Sequence, residues 1–510
     1  MNSRVQKLWQ RGMAYFQQGN MEAAQANFEA LLTVDPKSGP ASFRLSLVRA
    51  RQGRFGAAVQ LAEQSLALDS ERTEILTHLA RCHLMCGQPE IARGIALRAL
   101  ALPRDNAAAL DLLGAVMTRL DERLFAIELF DQAIALDPQQ ASLWFNRALA
   151  QKQFGAIEDA ERDLESCLAL APEHAKAHWT LATLKTQDQK HNHVPRLRER
   201  LALAVRSTPE DEWLALALFK ELDDLGDVDS AWPALERGIH SRRERRLAAG
   251  YAQRDSVDAL IALCAETFSA PTPPLQSDIT PVFIFGLPRS GVAVLGKLLS
   301  RHSGVHHLGA LPVFSRLLSL QLGRDSMQPL DTAAFEQASA LDLEQLGRRY
   351  LAEVSPASGG PVLVCESYPM NFQLAAFIAR ALPGARMLHM AREPMDNCVA
   401  ILGHAGGEAN VPGHDPAKLA EYYLDYDRLM QHWHQVVPGR IIDVSYESLV
   451  AKPEMVLRVI CGFLGIRYDS AMRLGLQPRQ PGIGRGHRYA ARLPALSAGL
   501  ASLERKSRSA

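Results

Sequence analysis

The stretch Pro281-Val-Phe-Ile-Phe-Gly286-Leu-Pro-Arg-Ser-Gly291-Val-Ala-Val-Leu decides the fold of the second half of this chain. An apolar run rich in β-forming residues stops at a loop with two glycines and a proline, and a helix-length apolar stretch follows. A buried parallel strand, a tight loop and a helix N-terminus bring together unpaired backbone N–H groups and the positive end of a helix dipole. The stretch therefore predicts an anion-binding loop, whose residues are Gly286, Leu287, Pro288, Arg289, Ser290 and Gly291.

This loop differs from the two commonest nucleotide-binding patterns. A Walker A loop needs a Gly-Lys-Ser/Thr triplet, whereas Ser290-Gly291 is followed here by Val292 and Ala293. The Gly-x-Gly-x-x-Gly dinucleotide pattern is also absent from this stretch. The anion cradle thus consists of backbone amides, one hydroxyl from Ser290 and one guanidinium from Arg289.

The sequence around the loop alternates short β-rich runs with helical patterns, which is typical of a parallel sheet covered by helices. We predict strands over 282–285, 362–365, 386–390 and 440–444, and helices over 293–301, 371–382, 396–403, 416–437 and 452–464. Open sheets of this kind bind ligands at the carboxyl ends of their strands. The predicted loop follows the first strand and would lie at that edge.

A period of 34 residues runs through the first half of the chain. Glycine recurs at one station, with aspartate at its fourth occurrence: Gly19, Gly53, Gly87, Asp121 and Gly155. Alanine recurs five residues later without a break: Ala24, Ala58, Ala92, Ala126 and Ala160. Small residues let two helices approach closely, and glycine permits the turn between them. The pattern predicts an α-solenoid of about seven two-helix repeats, the sixth degenerate.

Composition narrows the class of protein further. The chain has 510 residues, which favours two or three domains, and its 56 basic residues balance 56 acidic ones, so charge gives no case for nucleic-acid binding. No apolar run reaches the ~18–20 residues of a membrane span, and the polar N-terminus has no signal-peptide core. Seven scattered cysteines lack paired metal-ligand spacing. We therefore predict a cytoplasmic protein.

We predict four segments along the chain. A repeat superhelix spans 1–268, a linker 269–279, an α/β domain 280–490 and a C-terminal tail 491–510. The basic run His240-Ser-Arg-Arg-Glu-Arg-Arg246 is interpreted as a solvated helix face, although a guanidinium cluster could also steer an acidic ligand.

Several motifs resemble one family. The repeats resemble tetratricopeptide repeats, and Phe285-Gly-Leu-Pro-Arg-Ser-Gly291 resembles the 5′-phosphosulfate loop of sulfotransferases that use 3′-phosphoadenosine-5′-phosphosulfate (PAPS). The similarity is to bacterial proteins that join tetratricopeptide repeats to a sulfotransferase domain and that also resemble tyrosylprotein sulfotransferases. The segments 368–372, 388–398, 422–433, 444–450 and 483–489 match later landmarks of that family.

The resemblance implies site residues, and several of them are replaced. The family's Gly-Thr-Thr continuation is Gly291-Val292-Ala293, its general-base glutamate station is Ala310, and its lysine station is Ser367, preceded by Glu366. Two 3′-phosphate contacts are likewise Ala391 and Ala400. The cofactor contacts that remain are the loop, Arg392, Arg485 and Arg488; for these arginines the alternative is structural ion pairing or plain surface charge.

The implied ancestral reaction is transfer of a sulfuryl group from PAPS to a hydroxyl, for example of tyrosine, on a peptide or protein. We expect this activity to be weakened or lost, with a peptide or protein partner still bound in the repeat groove. One alternative is an active enzyme with a substitute base, for which His302, His306, His307 and Glu366 are the candidates. Another is a purely structural adaptor that binds no nucleotide. In-line transfer needs no metal, so none is predicted; the expected ligand is PAPS or 3′,5′-diphosphoadenosine, and a homodimer is left open.

Overall fold

The computed structural model describes residues 3–68, 72–102, 105–248, 257–267, 275, 277–324, 330–355, 363–405, 411–473 and 482–507. The chain divides into two compact units, Met1–Lys185 and Thr186–Ala510. The division falls inside the predicted sixth repeat, so the predicted seventh repeat groups with the α/β domain. Most of the predicted linker, namely 269–274 and 276, lies outside the described residues.

The first unit is built of antiparallel helix pairs. Its helices are α1 (Ser3–Gln17), α2 (Met21–Val34), α3 (Gly39–Arg51), α4 (Phe55–Leu68), α5 (Thr73–Met85), α6 (Pro89–Leu100), α7 (Ala107–Arg119), α8 (Arg123–Leu136), α9 (Ala141–Gln153), α10 (Ile157–Leu170) and α11 (Ala175–Ala182). The alanines of the 34-residue period are fully buried at the helix crossings. A Cβ added at Gly12 would lie 2.8 Å from the Phe28 ring, so this crossing requires glycine.

The turn between the helices of a pair uses the left-handed backbone conformation. Gly19, Gly53, Gly87 and Gly155 have φ values of 78°, 79°, 74° and 79°. Asp121 occupies the fourth station and adopts φ 62° without glycine, which aspartate tolerates better than most residues. The repeat geometry is therefore maintained where the glycine is missing.

The second unit begins with the last repeat helices and continues into the sheet. The first part contains α12 (Val194–Leu203), α13 (Pro209–Asp224), α14 (Val228–Ala248), α15 (Val257–Thr267), β1 (Thr280–Phe285), α16 (Val292–Leu299), β2 (Val305–His307), α17 (Val313–Gln321), α18 (Thr332–Ser339), α19 (Leu343–Val354) and β3 (Leu363–Ser367). A 3₁₀ helix (Pro369–Leu374), α20 (Ala375–Ala381), β4 (Arg386–Ala391), α21 (Pro394–Leu402), α22 (Pro416–Val436), β5 (Ile441–Ser445), α23 (Tyr446–Ala451) and α24 (Pro453–Leu464) follow. The unit closes with 3₁₀ helices Ser470–Arg473 and Gly486–Arg492 and with α25 (Pro494–Ser507).

The five described strands form one parallel sheet in the order β2-β3-β1-β4-β5. β1 is central and almost completely buried, as its apolar sequence predicts. One core cluster packs Val282 and Ile284 of β1 against Leu295 and Leu299 of α16. The predicted fold class, a helical repeat array followed by a parallel-sheet domain, is confirmed.

Two parts of the second unit differ from the sequence-based expectation. The residues predicted as a tail include α25, which packs against α22; Leu496 and Leu500 are fully buried there. The run 240–246 is not a uniformly solvated face, because Arg242 is only 3% exposed. Its guanidinium donates to Glu212 Oε1 at 2.9 Å and to the Gly413 carbonyl at 2.6 Å. This arginine therefore joins α13 and α14 to the segment around Gly413.

Within the described residues, helices long and apolar enough to cross a membrane are absent.

Candidate functional site

The predicted anion loop connects β1 to α16 at the carboxyl edge of the sheet. Gly291 has φ 110° and Arg289 has φ 68°, so two loop residues adopt left-handed conformations. A Cβ added at Gly286 would lie 2.4 Å from the Met390 carbonyl oxygen, and one at Gly291 would lie 2.6 Å from the Tyr446 ring. The loop is therefore pressed between β4 and α23, and glycine is required for steric as well as conformational reasons.

Hydrogen bonds hold the carbonyl groups of this loop. The Asn397 side chain donates to the Pro288 carbonyl at 2.9 Å, and Arg392 donates to the Arg289 carbonyl at 2.8 Å. The Leu287 N–H, in contrast, donates to the Tyr426 hydroxyl oxygen. The N–H groups of Gly286 and Ser290 are also bonded, to the Pro369 and Leu287 carbonyls. The N–H groups at the start of α16 therefore provide the arrangement that binds anions.

Ser290 provides the clearest sign of a ligand-binding function. The residue is 1% exposed, and its Oγ has no hydrogen-bond partner among the described residues. A buried hydroxyl without a partner costs stability. An oxygen atom of a bound anion would satisfy this hydroxyl.

The two residues after the loop, Val292 and Ala293, differ in their burial. Val292, the first residue of α16, is buried in the core, whereas Ala293 is exposed. The hydroxyls of the family's pattern are thus replaced by one core side chain and one methyl group at the surface.

The opposite end of the site, expected to hold a 3′-phosphate, is arranged differently. Arg392 donates to the Gly482 carbonyl at 3.0 Å as well as to Arg289, and its guanidinium carbon lies 5.0 Å from the Tyr446 ring centroid. Arg392 therefore binds backbone carbonyls on both sides and joins the loop to the segment that begins at Gly482.

That segment, residues 482–492, is called here the closing segment. Asp396 is buried and accepts the backbone N–H groups of Gly484 at 2.5 Å and Gly486 at 2.6 Å. A Cβ added at Gly486 would lie 2.5 Å from the Met395 carbonyl oxygen, so the contact is close. Asp396 lies in the first turn of α21 and fixes the closing segment to that helix.

The arginines of the closing segment are paired with protein carboxylates. Arg485 donates to Asp223 at 2.8 Å and to Asp224 at 2.9 Å, and Arg488 donates to Asp223 at 2.7 Å. The Tyr489 hydroxyl also donates to Asp223, at 2.8 Å. Both arginines thus point toward α13, in an arrangement that holds the last repeat helices on the α/β layer.

The three histidine candidates have different surroundings. His302 Nε2 lies 2.9 Å from the Arg467 carbonyl and its Nδ1 accepts the Gly304 N–H, so both nitrogens are used within the fold. His306 is exposed on β2. His307 Nε2 lies 2.8 Å from Ser367 Oγ, next to Gly296 of α16. Burial, helped by His306 and Lys297, lowers the pKa of His307 to about 4, so the imidazole is neutral at pH 7.

Glu366 lies on the other face of the sheet. Successive residues of a strand point to opposite faces; Ser367 faces His307, and Glu366 faces α17 and α19. Its carboxylate accepts from the Asn371 side chain at 2.7 Å and from the Phe314 N–H at 3.3 Å. Burial raises the pKa of Glu366 to about 7, although these hydrogen bonds oppose the shift. The candidate base therefore contacts core residues within the described structure.

The roles of these site residues stay predictions, but the geometry adds residues that the sequence did not suggest. Asp223 and Asp224 bind the closing segment, and Asn397 and Tyr446 support the loop. For Asp223 and Asp224, the signal in the sequence was a pair of adjacent aspartates in a repeat helix. For Asn397, its place next to Asp396 in a matched motif was the only hint.

Comparisons with known proteins agree with this architecture. Residues 281–470 match the sulfotransferase family. Residues 10–73, 49–116 and 113–185 match tetratricopeptide-repeat families. The chain thus carries tetratricopeptide repeats followed by a sulfotransferase-family domain.

The similar proteins include protein-tyrosine sulfotransferase 1 of Danio rerio, 23% identical over 208 residues, which cover 39% of this chain and 56% of that protein. The protein-tyrosine sulfotransferase of Drosophila melanogaster is 21% identical over 201 residues, covering 38% and 39%. An uncharacterized protein of Aquifex aeolicus is 24% identical over 213 residues, covering 39% and 27%. The chain therefore spans 27–56% of the length of these relatives.

Among solved structures, a thermophilic tetratricopeptide protein of Thermus thermophilus is 19% identical, with a TM-score of 0.33, covering 35% of this chain and 98% of that one.

Proposed function

We propose that this protein binds a nucleotide of the 3′,5′-diphosphoadenosine type at the loop 286–291 and binds a peptide or protein through its repeats, with sulfuryl transfer from PAPS weakened or lost. The observation that carries the proposal is Ser290, a buried hydroxyl without a partner among the described residues, within a loop of backbone N–H groups at the start of α16. Both features favour a phosphate oxygen.

The proposed loss of turnover rests on the missing polar groups. Ala310 stands at the base station, and Ala391 and Ala400 stand at two phosphate contacts. Each lost donor to a developing charge costs about 2.7–4 kcal/mol of transition-state stabilisation, and a lost general base costs a factor of roughly 10²–10⁴. The pairing of Arg485 and Arg488 with Asp223 removes two further cations from the 3′-phosphate end.

A second candidate function, an active transferase, is favoured by one contact. His307 is neutral at pH 7 and its Nε2 is within hydrogen-bond distance of Ser367 Oγ, so the pair could accept a proton from an acceptor hydroxyl. A base whose pKa is about 4 is weak, however, because proton transfer is most efficient when the pKa of the base lies near the working pH. The contact supports slow transfer at most.

The proposed partner site lies in the first compact unit, Met1–Lys185, across several repeats. A cavity of about 500 Å³ is lined there by aromatic, cationic and polar side chains, among them Trp9, Phe43, Arg44, Arg72 and Asn106. Aromatic side chains with a few polar groups are typical of surfaces that bind peptides. This supports a peptide or protein ligand.

The nucleotide part is tested by measuring the thermal unfolding of the full chain with increasing 3′,5′-diphosphoadenosine. Saturable stabilisation is expected, since a ligand that binds only the folded state raises its stability. No stabilisation at millimolar ligand would contradict nucleotide binding and favour a purely structural adaptor.

The catalytic part is tested separately by transfer of radiolabelled sulfate from PAPS to a library of tyrosine-containing peptides. We expect little or no transfer above background. Transfer that disappears in both Arg289→Ala and His307→Gln would instead establish the active enzyme, and transfer unaffected by His307→Gln would exclude this histidine as its base.

A further inference from the structure

A cluster of two histidines and one aspartate lies at the β5 edge of the sheet. His389 on β4 and Asp443 on β5 are direct neighbours in the parallel ladder. His434, in the last turn of α22, reaches the same carboxylate. Three elements that are far apart in the chain thus bring their side chains to one point, outside the anion loop.

The geometry of this cluster is that of a small ligand set. His389 Nδ1 lies 2.7 Å and His434 Nε2 lies 3.0 Å from Asp443 Oδ1. The three candidate ligand atoms all lie within 4.8 Å of one another. In a tetrahedral site with bonds of about 2.0–2.2 Å, neighbouring ligand atoms are about 3.3 Å apart. Opening the two contacts to Asp443 by roughly 0.3–0.6 Å, with the imidazole nitrogens at a similar spacing, would therefore make room for an ion.

The ring of His389 is already oriented for this role. Its Nε2 is hydrogen-bonded to the Tyr426 hydroxyl, so Nδ1 is the nitrogen that faces Asp443. A bond from the other ring nitrogen is what fixes the orientation of metal-binding histidines. His389 is buried, whereas the side chains of His434 and Asp443 are 38% and 56% exposed, which leaves an entry route.

We propose that His389, His434 and Asp443 bind a divalent first-row transition metal ion, with Zn²⁺ the preferred one. Two imidazole nitrogens and one carboxylate oxygen suit Zn²⁺ and leave the fourth position to water. Mg²⁺ and Ca²⁺ are disfavoured because they prefer all-oxygen sites. This departs from the sequence-based expectation of no metal, which concerned the transfer reaction.

The ion would join the edge strand β5 and the end of α22 to β4. His389 also contacts Phe285, with ring centroids 6.2 Å apart, and Tyr426 bonds to the Leu287 backbone. The same side chains thus lead from the cluster to the start of the anion loop. The inferred role is stabilisation of this side of the sheet, and it does not depend on nucleotide binding.

Calorimetric titration of the full chain, first freed of metal with a chelator, tests the site. ZnCl₂ is expected to bind with a stoichiometry of one, and MgCl₂ is expected not to bind. Because even an outer-shell change costs roughly 10–100-fold in affinity, His434→Ala and Asp443→Ala should each weaken Zn²⁺ binding by at least tenfold. These two residues are preferred because replacing the buried His389 risks the fold.

His240→Ala is the matched control, since His240 is an exposed histidine on α14, and it should bind Zn²⁺ like the original chain. Absence of Zn²⁺ binding would overturn the proposal, as would binding that survives in both His434→Ala and Asp443→Ala. Crystals soaked in ZnCl₂ give an independent readout: anomalous density at the cluster would support the site, and density only at His302–His307 would refute it.

Discussion

The anion loop and the closing segment both contain glycine and arginine, and both resemble motifs expected to contact a nucleotide, yet their polar groups have opposite environments. In the loop, Ser290 keeps a buried hydroxyl without a partner among the described residues. In the closing segment, Arg485 and Arg488 are bound by Asp223. In the loop a polar group is left without a protein partner among the described residues, whereas in the closing segment the arginines form a clamp onto α13.

The largest expected effect concerns the clamp. Asp223 is 6% exposed and accepts hydrogen bonds from Arg485, Arg488 and Tyr489. Asp223→Ala leaves Arg488 without its carboxylate acceptor and Arg485 with Asp224 alone, which costs up to roughly 3–5 kcal/mol of the free energy of unfolding of this unit. Urea denaturation followed by tryptophan fluorescence measures it.

The control for this prediction is Asp229→Ala, which removes the exposed partner of Arg492 between α14 and the closing segment. Exposed ion pairs contribute about 0.2–1 kcal/mol, so this variant should be nearly unaffected. Equal, small effects of both substitutions would mean that the closing-segment arginines are not clamped and remain available to a ligand.

The next effect tests the rigidity of the loop. Gly291→Ala combines a left-handed φ with a clash against the Tyr446 ring, and the two should together cost roughly 2–4 kcal/mol of unfolding free energy. Gly439→Ala has φ 71° but no atom within 4 Å of the added Cβ, so backbone strain alone, about 1–2 kcal/mol, is expected. If both variants lose the same stability by urea denaturation, the packed loop conformation is wrong.

The third prediction concerns the buried acid on the strand beside the loop. Burial raises the pKa of Glu366 in the folded state to about 7, from an ordinary value of 4.5. The protonated carboxyl group therefore contributes fully to the free energy of unfolding below pH 4.5, and this contribution is lost as the pH rises through about 7. The free energy of unfolding of the original chain should therefore fall, relative to Glu366→Gln, by up to about 3 kcal/mol between pH 5 and pH 8.

Subtracting the free energy of unfolding of Glu366→Gln from that of the original chain cancels the pH dependence of the titratable groups that both chains contain. His307 acts in the opposite direction, because its lowered pKa of about 4 removes stability as the pH falls below about 6.5. Glu421→Gln, at an exposed position of α22, should show no such difference from the original chain. A Glu366→Gln curve parallel to that of the original chain would mean that the carboxylate is ionised at pH 5.

The sequence predicted those features that depend on local periodicity. The 34-residue alanine register indicated the helix pairs because each alanine must fit at a close crossing, and four strands were found because they are apolar runs. β2 was missed because it has only three residues, two of them histidines. A run that short and that polar carries no strand signal.

Pairing across the chain could not be predicted in the same way. Arg485 meets Asp223 across 262 residues, and no local pattern distinguishes such an arginine from one that binds phosphate. His389 and Asp443 become neighbours only once β4 and β5 pair in register. The loop was recognisable from sequence, but whether each charged group faces a ligand or another side chain depended on tertiary structure.

The smallest effect on folding, and the most specific for the loop, is expected for Ser290→Ala. Removing a buried hydroxyl that has no protein partner should leave the free energy of unfolding unchanged or slightly raised. A hydrogen bond to a charged phosphate is worth about 1.5–3 kcal/mol, so the same change should weaken binding of 3′,5′-diphosphoadenosine by roughly 10–150-fold.

Ser319→Ala is the matched control, because Ser319 on α17 is also buried with no partner for its Oγ among the described residues, but lies outside the loop. It should leave both quantities unchanged. Calorimetry of the two variants separates the regions: weaker binding in Ser290→Ala alone locates the nucleotide at the loop, whereas equal affinities in both variants would exclude Ser290 as its contact.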